Sequence, residues 1–227
     1  MTEDSQTDPL RTAADTMRAV RERCVWSQRI THRDLVPYLI EESHEVIEAV
    51  ESGTRDDLRE ELGDLLWQVL FHSAIAAQDP DDPFDIDDVA QTLTEKMVRR
   101  HPHVFAGEVA TTPDEVLVHW NAAKAAEKRT RTSVLDGVPR GMPALALAQK
   151  LVGRAAGVGV TPDASGPQPS SGPQPSSGPH PSSEGELGDA MLALVSLARE
   201  RGWDAERALR ERLRLLEDEV RAAEAEG

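Results

Sequence analysis

Two acidic clusters stand out as residues able to do chemistry: Glu41-Glu42-Ser43-His44-Glu45, and Glu61-Leu62-Gly63-Asp64. Glu42 and Glu45 are three apart, as are Glu61 and Asp64, and such pairs lie one above the other on a helix face. At about 100° per residue, Glu42 and Asp64 fall at the edges of apolar stripes, with Glu45 and Glu61 just beside them. If the two helices pack together, four carboxylates converge beside the core. Their mutual repulsion and partial desolvation make either charge state costly. A hard divalent cation relieves that conflict, and oxygen-only ligands point to Mg²⁺ or Mn²⁺ rather than zinc. An ordinary solvated acidic face is the bland alternative, and spacing alone leaves both open.

The elements that must position these residues are helical. Apolar residues recur at helical spacing over 11–23, 36–51, 55–78, 86–100 and 113–128. A Ser52-Gly53-Thr54 turn separates the second and third helices, and Asp79-Pro80-Asp81-Asp82-Pro83 ends the third. The fourth stops at His101-Pro102, and Pro113 opens the fifth at a favoured first-turn position. No segment alternates as a strand does. Short loops between amphipathic helices predict antiparallel neighbours in an all-α bundle.

The rest of the chain bounds the function. Of 227 residues, 25 are basic and 41 acidic, so 25 − 41 gives a net charge of −16. Bulk electrostatics thus disfavour nucleic acid as a partner. The single cysteine, Cys24, permits no internal disulfide, and no signal peptide or membrane-length apolar run is present, which together predict a cytoplasmic protein. Residues 161–183 repeat a Gly-Pro-Gln-Pro-Ser-Ser unit, altered in its third copy, and read as a disordered Pro/Ser/Gly-rich linker. Glu60-Glu61-Leu62-Gly63-Asp64-Leu65-Leu66 returns, altered, as Gly185-Glu186-Leu187-Gly188-Asp189-Ala190-Met191. The expected organisation is therefore a catalytic helical domain over 1–135 and a degenerate second copy. That copy starts at 136–160, is interrupted by the linker at 161–183 and resumes at 184–227. Glu186 and Asp189 survive in it without a preceding Glu-Glu-x-x-Glu. Aligning Phe84 with Trp203 sets Leu215 and Glu219 opposite Lys96 and Arg100. The second copy is expected to be inactive.

Glu-Glu-x-x-Glu followed by Glu-x-x-Asp after a short hairpin resembles the signature of the MazG-type nucleoside triphosphate pyrophosphohydrolases. The flanks agree: Leu35-Val36-Pro37-Tyr38-Leu39-Ile40, Leu65-Leu66-Trp67-Gln68-Val69 and Arg99-Arg100-His101-Pro102-His103-Val104-Phe105. The likeness is good over about 13–130 and degraded beyond. It implies Mg²⁺-dependent hydrolysis of an NTP or dNTP to monophosphate and pyrophosphate, in nucleotide-pool house-cleaning, by an all-α homodimer. By the same resemblance Glu42, Glu45, Glu61 and Asp64 ligate the metal. Glu41 and Asp57 lie beside metal and substrate, with Glu41 a candidate proton acceptor. Lys96 and Arg100, one turn apart, contact the phosphates, as does Lys124 more weakly. Trp120 and Trp26 come near the base. Val25, Ser27 and Ile30 depart from the family's usual proline, aspartate and glutamine, which bears on base preference. Cys24 has no Cys-His-acid setting and reads as structural. Two other readings compete. Glu41-x-x-His44 fits half of a di-iron carboxylate motif, but no second Glu-x-x-His follows. A non-catalytic helical nucleotide-sensing or regulatory protein would keep the scaffold without turnover.

Overall fold

A computed structural model describes residues 8–127, 132–160 and 181–225. All its regular elements there are helical: α1 (Pro9–Arg23), α2 (Val36–Glu51), α3 (Arg55–Ala76), α4 (Ile86–Arg100), α5 (Pro102–Phe105), α6 (Pro113–Glu127), α7 (Ala144–Ala156), α8 (Glu184–Glu200) and α9 (Ala205–Ala225), with a 3₁₀ turn at Ser27–Arg29. The chain divides into two compact units, Met1–Glu127 and Lys128–Gly227. Most of the expected linker, 161–180, lies outside the described residues.

Helix starts in the first unit follow local capping chemistry. The Asp8 side chain accepts from the Leu10 amide and Pro9 occupies the first turn of α1. Thr54 and Asp57 form a reciprocal capping box on α3, and Asp85 and Asp88 form another on α4. A capping box satisfies two backbone amides and fixes where each helix begins. The carboxylates further along α3 therefore inherit a defined orientation.

The core of this unit lies between α1, α3 and the segment that leads into α2. Ala14, Met17, Leu35, Leu70 and Phe71 are buried together, with Ile30, Leu66, Trp67, Ala74, Ile75 and Ile86 packed around them. Met17 and Leu35 are each 1% exposed. Between α1 and α2 the chain runs through short turns, and side chains add to their backbone hydrogen bonds. Buried Arg21 donates through Nη1 to the carbonyls of Ser27 and Ile30, and through Nε to Gln78 Oε1 at 2.9 Å. Ser27 Oγ donates to Val20 O at 2.7 Å and also reaches Cys24 O. This staple holds Trp26 with its ring edge-on to Tyr38 and Phe71, at centroid distances of 6.3 and 6.1 Å. His32 and His72 meet through their Nδ1 atoms at 2.7 Å, tying the segment before α2 to α3.

In the second unit α7 packs on both α8 and α9, burying Val152, Val195 and Ala198. The Gln149 side chain joins the turn between α8 and α9, donating to Trp203 O and accepting from the Ala205 amide. Glu186 is engaged locally: its carboxylate accepts from the Ser182 amide at 2.6 Å and from Ser182 Oγ at 2.8 Å. Together with Ser183, it caps α8.

Candidate active site

α2 and α3 make the most extensive helix pairing in the first unit, and their short connection sets its register. Gly53 lies in the turn between them, folded back against the end of α2. A Cβ added there would lie 2.7 Å from Ala49 Cα, so only glycine fits without a shift. Counting outward from Gly53, Glu45 lies eight residues before it and Glu61 eight after (53 − 45 = 61 − 53 = 8). Glu42 and Asp64 lie eleven before and eleven after (53 − 42 = 64 − 53 = 11). An antiparallel hairpin of equal rise brings such positions level.

One oxygen each from Glu42, Glu45 and Glu61 comes together, all within 4.8 Å of one another. Glu42 and Glu61 are half-buried and Glu45 is exposed. Asp64 is exposed and stands outside this tightest group, yet its charge acts on both Glu42 and Glu61. Burial is the main cause that raises the carboxyl pKa of Glu42 above the ordinary glutamate value, and the charges of Asp64 and Glu45 add to it. Glu61 is raised in the same way, by burial and then by Glu45 and Asp64. These carboxylates resist ionising together, which is the condition a bound cation removes.

The neighbourhood is polar and open. A groove of about 300 Å³ is lined by Glu45, Glu48, Ser52, Gly53, Asp57 and Glu61. Asp57 reaches it while capping α3: Oδ2 accepts from the Thr54 amide at 2.7 Å, and hydrogen bonds from Thr54 hold its pKa down. Glu41, one residue before the group, is exposed. Gln68 was not anticipated from sequence. It is 5% exposed, and its Nε2 donates to Glu42 Oε1 at 3.3 Å. Its own Oε1 is buried without a partner. The signal was present, since Gln68 follows Asp64 by one helical turn, but a glutamine on an apolar face reads equally well as filler.

The cationic residues form a second cluster, at the end of α4. Arg100 and the exposed Arg99 both pair with Glu127 on α6. The Arg100 guanidinium lies 4.9 Å from the Trp120 ring centroid, and His101 meets the same ring edge-on at 5.3 Å. One face of Trp120 is thus covered by Arg100. Lys96 lies one turn before Arg100 on α4, and Lys124 one turn after Trp120 on α6; both are half-buried. No ion pair among the described residues links these cations to the carboxylates of α2 and α3. The structure thus gathers the acids on the α2–α3 hairpin and the cations on α4 and α6. Trp26 stands with the α1–α2 segment, 52% exposed.

A helical hairpin with clustered carboxylates, followed by a helix ending in arginines, carries groups able to hold a cation and an anion. Comparison with known proteins gives the family. The model of the MazG nucleotide pyrophosphohydrolase domain matches residues 30–105, a span that contains both acidic clusters, Lys96 and Arg100. The chain is 36% identical to a nucleoside triphosphate pyrophosphohydrolase of Escherichia coli K12, over 90% of this chain and 82% of that protein. It is 43% identical to a nucleoside triphosphate pyrophosphohydrolase of Mycolicibacterium smegmatis, over 83% of this chain and 57% of that protein. An uncharacterized 26.1 kDa protein of Streptomyces cacaoi is 47% identical over 92% of this chain and 80% of its own length. The chain belongs to the MazG nucleotide pyrophosphohydrolase family.

Proposed function

We propose that this protein hydrolyses nucleoside triphosphates, ribo or deoxy, to the monophosphate and pyrophosphate, with Mg²⁺ as the cofactor and Mn²⁺ as a working substitute. The observation that carries this is the convergence of Glu42, Glu45 and Glu61 within 4.8 Å on the hairpin. The donor set fits a hard cation: oxygen ligands alone, two of them with raised pKa, beside an open polar groove. Glu42, Glu45 and Glu61 would hold it, with Asp64 completing the set. When bound, the ion supplies Lewis acidity and charge neutralisation at the α-phosphate.

The remaining work falls to the chain. Gln68 fixes the rotamer of Glu42 through its hydrogen bond, leaving the other carboxylate oxygen to the ion. Lys96 and Arg100 contact the phosphates from α4, with Lys124 in support. Arginine does so bidentately, which suits a pyrophosphate leaving group whose negative charge grows in the transition state. Glu41 takes the proton from the attacking water. Asp57 orders the groove's end, and Trp26 and Trp120 lie on the base side. The protein works as a homodimer in the cytoplasm, removing unwanted nucleotides from the pool.

The test is a panel of normal and damaged NTPs and dNTPs assayed with Mg²⁺ and with Mn²⁺, resolving monophosphate plus pyrophosphate from diphosphate plus phosphate. Monophosphate and pyrophosphate, lost in Glu42→Ala, support the proposal. Diphosphate and phosphate would contradict it. No turnover with either ion would favour a non-catalytic nucleotide-sensing protein.

A further inference from the structure

Trp120, Lys124 and Glu127 lie on one stripe of α6, at i, i+4 and i+7. This stripe meets the last turn of α4. The Glu127 carboxylate receives Arg100 through two donors: Nη2 at 2.5 Å and Nε at 3.2 Å, both to Oε2. Its other oxygen accepts from Arg99 Nε at 3.0 Å. Exposed ion pairs of this kind contribute little to stability, and Arg99, with its side chain 54% exposed, is such a case. Arg100 is different. Its side chain is 13% exposed and that of Glu127 19%, and the Trp120 ring backs the guanidinium at 4.9 Å.

A guanidinium is a planar fork of five N–H donors. Glu127 occupies the edge formed by Nε and Nη2, and Trp120 covers one face. Nη1 donates to nothing among the described residues. The edge formed by Nη1 and the second hydrogen of Nη2 is therefore left as a pair of parallel donors. That pair matches the spacing of two phosphate oxygens. The charge count permits this use: Arg99, Arg100 and Glu127 sum to +1 (1 + 1 − 1), so the pairing orients Arg100 without cancelling the cluster's charge. Hydrogen bonds from Arg100 and then Arg99 hold the Glu127 carboxyl down at about 2, so it stays ionised at any working pH.

We propose that Glu127 is a positioning residue for the reaction: it holds Arg100 by its Nε–Nη2 edge over Trp120, so that the opposite edge is presented, already oriented, to the triphosphate. This rests on the assignment of Arg100 to the phosphates. It gives Trp120 a second task as the backing of that clamp. It also makes the Trp-x-x-x-Lys-x-x-Glu spacing of 120–127 functional.

The experiment is a double-mutant cycle in the full chain with Arg100→Ala, Glu127→Ala and the double variant, with Glu127→Gln alongside. Two quantities are measured: kcat/KM on an NTP, and calorimetric affinity for inorganic triphosphate in Mg²⁺. Each single alanine variant should lower kcat/KM on the order of 10- to 100-fold, the scale of a misplaced binding group. Adding Glu127→Ala to Arg100→Ala should cost nothing further in either measurement, because Glu127 acts only through Arg100. Glu127→Gln keeps one acceptor oxygen and should fall between. Losses that add in the double variant overturn the proposal, as does wild-type behaviour of Glu127→Ala. If Arg100→Ala itself turns over and binds triphosphate normally, the assignment of Arg100 fails, and the role of Glu127 falls with it. If Glu127→Ala melts below the assay temperature, Glu127→Gln carries the cycle with the same expectation.

Discussion

Glu61 shows how a single residue links stability to function. Burial and the charges of Glu45 and Asp64 raise its pKa, so in the metal-free protein its ionised form opposes folding. The sign follows from linkage: a carboxyl raised in the folded state binds more protons there than in the unfolded chain, so stability falls as pH climbs through that window. Glu61→Gln should therefore raise the melting temperature of the metal-free protein near neutral pH and remove the further rise that Mg²⁺ gives the wild type. Thermal melts with and without Mg²⁺ check both; a variant that melts lower without metal would contradict this account. Gln68 acts one step further out. Gln68→Ala frees Glu42 and should weaken Mg²⁺ affinity about 10-fold, the low end for a residue that orients a ligand. Calorimetric titration with Mg²⁺ measures it, and unchanged affinity would remove Gln68 from the site. At this scale residue type and spacing pointed to four paired acids, of which Glu42, Glu45 and Glu61 stand together in the structure. The sequence was silent on Gln68 and Glu127, whose roles depend on partners 26 and 27 residues away.

At the scale of elements, the hairpin carries the argument. Periodicity and turn chemistry located α2 and α4 at the residues the structure gives them, and α1, α3 and α6 to within two at either end. Amphipathic helices with strong caps announce both their faces and their ends. The four-residue α5 escaped, because a single turn after proline has no period to detect. The angular reckoning put Glu42 and Asp64 at the stripe edges, while Glu42, Glu45 and Glu61 form the tightest group. A helical wheel treats each helix alone; the register set at Gly53 decides which residues meet. Gly53→Ala tests that register. Its Cβ would sit 2.7 Å from Ala49 Cα and 3.0 Å from Ala49 O, both backbone atoms that cannot swing aside. The turn must shift, and kcat/KM should drop about 10-fold or more, as for a misplaced constellation, with a lower melting temperature. A wild-type rate would mean that the carboxylates do not depend on this turn.

At the scale of the whole molecule, the net charge of −16 matters twice. It repels an anionic substrate, a repulsion that the proposed cation and the α4 cluster would offset. It also keeps copies apart unless an apolar surface draws them together. α2 offers such a surface: Val36 is 46% exposed, Leu39 36% and Ile40 54%, at i, i+3 and i+4 on one face of the helix. The proposed homodimer would join through this face. A homodimer of the 24.8 kDa chain should sediment at twice that mass, and Ile40→Glu should return it to monomer. Wild-type protein that stays monomeric at micromolar concentration would contradict the dimer. The second unit was only partly legible. Its helices follow the apolar periodicity, but Glu186, read as a relic of a metal ligand, is engaged in capping α8. Motif likeness could not distinguish those two uses of a glutamate.

The most direct test of the central claim is hydrolysis of an NTP in ¹⁸O-labelled water with Mg²⁺, with mass analysis of both products and Glu42→Ala as control. Attack at the α-phosphorus predicts one heavy oxygen in the monophosphate, none in the pyrophosphate, and loss of both products in the variant. Label in the pyrophosphate, or turnover that survives Glu42→Ala, would contradict it.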